Sequence, residues 1–134
     1  NSTVPHISFI VGASYGAGTY AMSGRAFNNR FIFTWPSAKI AVMGPKQFAG
    51  VMSIVRKAKA KRKGEKFDEK GNKQLVEFIE AIAEQESLAL SASSMLTDDG
   101  IIDPRDTRNV LGFCLSVIDN NQVKGADSYG VFRL

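Results

Sequence analysis

Histidine and cysteine are nearly absent from this sequence: each occurs once, as His6 and Cys114. One cysteine excludes an internal disulfide framework and fits a reducing compartment. Its expected place is as a small buried hydrophobe on a helix. One histidine, one cysteine and scattered carboxylates offer no metal-ligand spacing, so no metal is expected. No apolar run approaches the roughly 18 to 20 residues that cross a bilayer, so no membrane partner is expected. There is no Gly-Lys-Ser/Thr, which excludes a P-loop. Initiator methionine and a secretory signal pattern are also missing, and Asn1-Ser2-Thr3 reads as a cut end.

What is present has ordinary globular proportions: 134 residues, 44% hydrophobic and 22% charged, enough for one domain. The net charge of +4 is unevenly placed. Residues 56–73 hold nine of the seventeen Lys and Arg and three of the thirteen acids, a local +6 against −2 elsewhere. Arg56-Lys57-Ala58-Lys59-Ala60-Lys61-Arg62-Lys63 could neutralise the phosphates of a nucleic acid. No aromatic residue is interleaved to stack on bases, so the run reads as a solvated helix end and loop, about 56–73, with no nucleic-acid partner.

Short strand-like and helix-like segments alternate. Ile7–Val11, Phe31–Phe33 and Lys39–Met43 read as strands, with Trp35-Pro36 interrupting, because proline lacks a ladder donor. A helix is expected from Pro45 through Phe48, Val51, Met52 and Val55, broken by Gly64 to Asn72. Leu75, Phe78, Ile79, Ile82 and Ala83 make one apolar helix face. Ser91 to Thr97 is ambiguous. Ile101-Ile102 gives a brief strand, and Asp103 with Pro104 opens a last helix carrying Val110, Leu111, Cys114, Leu115 and Ile118. Such alternation argues for an α/β fold with largely parallel pairing, and so few strands for part of a larger one.

Gly12-Ala13-Ser14-Tyr15-Gly16-Ala17-Gly18, directly after the first strand, is the most informative segment. It reads as a tight turn into a helix, where backbone N–H groups have no partner in the chain and face whatever sits in front. The segment also matches the G-x-S-x-G nucleophile elbow. That chemistry needs a base beside the serine, and His6 lies at the far end of the incoming strand. The glycines do not match G-x-G-x-x-G. Asp98, Asp99 and Asp103 read as turn and cap chemistry. Gly44, ending a strand before a helix, is a second candidate for lining a cavity.

Several blocks together resemble the carboxyltransferase (β) subunits of biotin-dependent acyl-CoA carboxylases. They are Val4-Pro5, the Gly12-x-Ser14-Tyr15-Gly16-Ala17-Gly18-x-Tyr20 segment, Trp35-Pro36-x-Ala38-x-Ile40-x-Val42-Met43-Gly44, Asp98 to Arg108, and Tyr129-Gly130-Val131-Phe132-Arg133. Ser-Tyr-Gly-Ala-Gly and the Phe-Arg ending resemble the methylcrotonoyl-CoA type rather than the propionyl-CoA type. Thr97 stands where that branch often carries tryptophan, and Ser87 to Leu90 where it has a Pro-Tyr-Tyr-like segment. Geranyl-CoA or a broader acyl-CoA is the alternative substrate.

The resemblance implies a crotonase-like spiral of β-β-α units, with residues 1–134 as the C-terminal part of its second crotonase-like domain. It implies a ligase that moves a carboxyl group from carboxybiotin to the α or γ carbon of an acyl-CoA thioester, this part being inactive alone. Negative charge then develops on the ureido oxygen and the thioester oxygen. By motif position the resemblance assigns the backbone N–H groups of Ala17 and Gly18 to the biotin-side oxyanion hole, with Tyr15, Gly16 and Gly44 lining the biotin site. Biotin would be carried on a partner carrier domain, and the subunit would form a homo-oligomer with a biotin carboxylase partner. The location implied is bacterial cytoplasm or mitochondrial matrix. The competing readings are a crotonase-superfamily thioester hydratase or hydrolase without biotin, and a nucleic-acid-binding module that uses the basic patch at 56–63.

Overall fold

The computed structural model describes residues 4–27 and 29–122. The Tyr129–Arg133 block and Asn1–Thr3 lie outside them. Two β-β-α units follow one another. The first is β1 (Ile7–Ile10), β2 (Ala13–Tyr15) and α1 (Ala17–Ala21); the second is β3 (Phe31–Thr34), β4 (Lys39–Ala41) and α2 (Pro45–Lys63). Equivalent strands pair in parallel. Ile7 to Ile10 run beside Phe31 to Thr34, and Ala13 to Tyr15 beside Lys39 to Ala41. Each unit thus gives one strand to each of two sheets, which is the expected crotonase-like spiral. A third turn is visible where Ile101 bridges Thr34 in parallel. Around that bridge, Thr34 donates to Gly100 O at 3.1 Å and accepts from Ile102 N at 2.9 Å.

The stretch from Gly12 to Ser14, expected as part of a tight turn, is not one. Ala13 to Tyr15 continue as strand β2, and only Gly16 turns the chain, at φ +67° and ψ −146°. That region is open essentially to glycine alone, so a single residue is enough to redirect the backbone into α1.

The run 56–73, expected as a helix end and loop with a break from Gly64 to Asn72, is mostly helix. Residues 56–63 complete α2, and α3 (Glu69–Ser87) starts within the run, so only Gly64 to Asp68 break the helices. Alanine, lysine and arginine are strong helix formers. Lys61, Arg62 and Lys63 also sit in the last turn, where the helix dipole favours cations. Gly64 then stops the helix in the left-handed conformation. Asp68 caps α3 by accepting from Gly71 N at 2.9 Å.

Of the ambiguous Ser91 to Thr97, the first four residues close α4 (Ala89–Ser94) and the last three turn the chain out of it. The last helix is α5 (Thr107–Asp119), preceded by a 3-10 turn over Pro104–Asp106 in which Asp103 accepts from Arg105 N at 2.9 Å. The buried core consists of small side chains: Ile32, Ala38, Ala49, Ala89, Ala92 and Cys114, with Thr34 and Ser87. No helix among the described residues is long and apolar enough to cross a membrane.

Candidate functional site

Strands β2 and β4 end side by side, and each is followed by a helix. Gly16 N donates to Ala41 O at 3.0 Å, locking the two exits together. Ligands of open parallel sheets bind beyond such carboxyl ends. Gly16 and Gly44 stand at the two exits as the N-caps of α1 and α2. A side chain at Gly44 would meet the Gln47 amide and lie 3.6 Å from the Tyr15 ring, so Gly44 is a close-packing position against Tyr15. The structure therefore brings Tyr15, Gly16 and Gly44 together.

Gly16 is not a free donor, because its N–H is held by Ala41. The next two amides differ. Among the described residues neither the Ala17 nor the Gly18 N–H has an acceptor, as their places at the start of α1 require. Gly18 has no positive φ, and a Cβ added there meets nothing within 4 Å. The fold of this chain does not need glycine at 18.

Two cavities flank α1. One, of about 400 Å³, is lined by Ser8, Gly12, Tyr15, Gly18 and Thr19 among others. The second, of about 280 Å³, is lined by Gly16, Tyr20, Ile40, Val42, Met95 and Thr97 among others. Ala17 is exposed and lines neither, and Gly44 lines neither.

Ser14 is not at a nucleophile elbow. It lies on a regular strand, with no positive φ, and its Oγ is 2.7 Å from the Thr19 hydroxyl. Thr19 is a residue the sequence reading did not single out, and it fastens β2 to α1. The acid cluster proves structural: Asp99 accepts from Ile32 N at 2.8 Å and from Arg25 at 2.9 Å, while Asp98 accepts from Ser93 at 2.8 Å. Arg25 was not anticipated either, and its partner lies too far along the chain for any local pattern to show. Among the described residues no three His, Cys, Asp or Glu side chains gather to hold a metal.

Lys39 on β4 pairs with Glu84 near the end of α3, and Leu88 bridges the Lys39 backbone. The Glu84 carboxylate holds the Lys39 ammonium above the ordinary lysine pKa, with a smaller contribution from Tyr15. Strand β4 is thereby anchored at its start by α3 and at its end by Gly16.

A spiral of β-β-α units of this kind is a crotonase-like fold, and the comparisons refine this. Residues 1–130 match the family model described as carboxyl transferase domain. The chain is 57% identical over its whole length to the probable biotin-dependent acyl-coenzyme A carboxylase beta2 subunit of Mycobacterium tuberculosis, of which it covers 25%. It is 44% identical over 98% of its length to the mitochondrial methylcrotonoyl-CoA carboxylase beta chain of Arabidopsis thaliana, covering 22% of it. Among solved structures, the geranyl-CoA carboxylase beta subunit of P. aeruginosa superposes with a TM-score of 0.75 at 40% identity, over 97% of this chain and 24% of that one. The chain belongs to the carboxyl transferase domain family. It spans about a quarter of the length of the relatives it matches.

Proposed function

We propose that this chain forms the biotin side of the active site in a carboxyltransferase subunit of a biotin-dependent acyl-CoA carboxylase, acting on a methylcrotonoyl-CoA-like thioester. The observation that carries this reading is the pair of unpaired N–H groups at Ala17 and Gly18, beside a glycine the chain's own fold does not require. A bound biotin on a partner carrier domain supplies the carboxyl group. The backbone N–H groups of Ala17 and Gly18 would hold the ureido oxygen of that biotin and offset negative charge there. Backbone donors aimed in advance do not reorganise during the reaction, and each such donor contributes about 2.7 to 4 kcal/mol. Gly16 sets their direction, and Tyr15 packed on Gly44 forms the neighbouring wall. The residues fit the group: two neighbouring amides at one turn have no acceptor among the described residues, and a Cβ at Gly18 would meet open space.

The subunit works as a homo-oligomer with a biotin carboxylase and carrier partner, in bacterial cytoplasm or in the mitochondrial matrix. The test is carboxyl transfer by the complete subunit from carboxylated biocytin to a panel of acyl-CoA thioesters. Transfer to methylcrotonoyl-CoA is expected. Transfer only to another thioester changes the substrate and keeps the mechanism. Thioester hydration or hydrolysis without biotin overturns the reading.

A further inference from the structure

Glycine occupies the cap position of α1, so no side chain bonds the first amides of that helix. Helix starts are commonly closed by a serine or threonine hydroxyl that accepts from those amides. Two such hydroxyls stand close by, on Ser14 before the cap and on Thr19 in the first turn. They lie 2.7 Å apart and bond each other. The Ala17 and Gly18 N–H groups between them have no acceptor among the described residues. The bond therefore closes a loop, Ser14 to Thr19, that contains the Gly16 turn and both donors.

Two glycines in that loop give the bond its importance. Gly16 and Gly18 carry no Cβ, and glycine has the widest conformational freedom of any residue. Donors that must point at one oxygen need that freedom removed. Gly16 is tied directly, its N–H to Ala41 O at 3.0 Å and its carbonyl accepting from Thr19 N at 3.2 Å. Thr19 is also backed by the chain that leaves α1. A Cβ at Gly24 would come 2.7 Å from Thr19 O and 3.3 Å from Thr19 Cγ2, so Gly24 lies directly against it. Ser23, left-handed at φ +64°, makes that return, and Ser8 Oγ on β1 donates toward Met22 O and Ser23 O, each at 3.2 Å. Helix α1 is thus pinned to β1 at its end and to β2 at its start, with Thr19 as the second tie. Ser14, Gly18 and Thr19 together border the cavity of about 400 Å³, so the bond lies beside one of the donors.

We infer that Ser14 and Thr19 are a positioning pair for carboxyl transfer. Their mutual bond fixes the direction of the Ala17 and Gly18 N–H groups and keeps either hydroxyl from satisfying those amides. The inference rests on the carboxyltransferase reading above. It gives the serine of the apparent nucleophile motif a role without nucleophilic chemistry. Because charge on the bound oxygen is greatest in the transition state, misdirected donors lower kcat more than they weaken substrate binding.

The test uses the complete subunit with carboxylated biocytin and compares Ser14→Ala, Thr19→Val, the double variant and Thr19→Ser. Each of the first two is expected to lower kcat about tenfold, with KM for the acyl thioester unchanged within about twofold. The double variant is expected to lose no more than either alone, because the same bond is removed in all three. Thr19→Ser keeps the hydroxyl and is expected to retain kcat within about twofold. Hydrogen exchange in the subunit without biotin reads the pair independently of turnover. The α1 amides from Thr19 to Met22 are expected to exchange at least about threefold faster in Ser14→Ala, with other segments unchanged. Undiminished kcat in both single variants overturns the inference, as does a double variant whose losses multiply. Lowered kcat with unaltered exchange in α1 also overturns it, since the hydroxyls would then touch the ligand directly. Should Ser14→Ala or Thr19→Val not fold, a tenfold loss in folded Thr19→Ser, on the order expected without the bond, counts against the pair. Failure of the unmodified subunit to carboxylate any thioester removes the function and the inference together.

Discussion

Gly18 and Cys114 show how differently two small residues are held. Gly18 has neither a conformational need nor a neighbour to exclude a side chain. Gly18→Val is therefore expected to fold with an unchanged thermal midpoint and to lose transfer in the complete subunit by a factor on the order of 10² or more in kcat. Full activity in that variant would remove the oxyanion assignment. Cys114 is buried, and that burial, followed by the nearby Asp99 carboxylate, raises its thiol above the ordinary pKa. A raised pKa means the folded state prefers the neutral thiol. Its contribution is intact below the unfolded value of about 8.5 and is lost as pH rises through the folded one. Alkylation by iodoacetamide at pH 8 is expected only after denaturant is added; rapid labelling of the native protein would contradict this.

At the scale of elements, the α2–α3 hairpin illustrates what local chemistry decides. Gly64, at φ +69°, receives the chain from a basic helix, and Glu65 N reaches back to Ala60 O at 3.1 Å. Gly64→Ala places a Cβ in a left-handed position with nothing to compensate, at a cost of about 1 kcal/mol. Urea unfolding with an unchanged slope and a lower midpoint would show it. The helix start at Pro45, the cap at Asp103 and the apolar stripe of α3 were all legible in sequence, because each is set by a few adjacent residues. The start of α3 was less legible, because Gly71 and Asn72 are poor helix formers, yet both lie inside that helix. Strand β2 was hidden because its three residues, Ala13 to Tyr15, form a strand only through pairing with Lys39 to Ala41.

Considered whole, the molecule leaves apolar faces uncovered. Phe48, Val51, Met52 and Val55 fall at one helical stripe of α2, and each is at least 37% exposed. Polar contacts join α2 to α3, with Asn72 donating to Ser53 at 2.8 Å and Lys57 paired with Glu69 at 3.4 Å. A stripe of this kind is rarely left to water. The isolated chain is expected to self-associate, and Val51→Asp with Val55→Asp to shift it toward monomer in sedimentation velocity. A monomer before substitution would show that this surface is tolerated as it stands.

The segment from Tyr15 to Gly18, the alternation of strands with helices and the absence of metal-ligand spacing were matters of sequence. Each rests on conformational preference or residue chemistry acting over a few positions. Only the tertiary structure decided which donors are free, because whether an amide is unpaired depends on what returns to it: Ala41 takes Gly16, and among the described residues nothing takes Ala17 or Gly18. The same holds for the Arg25–Asp99 pair and for the cavity that joins Gly16 to Met95 and Thr97. These contacts join residues tens of positions apart. They are products of chain return, which no local pattern encodes.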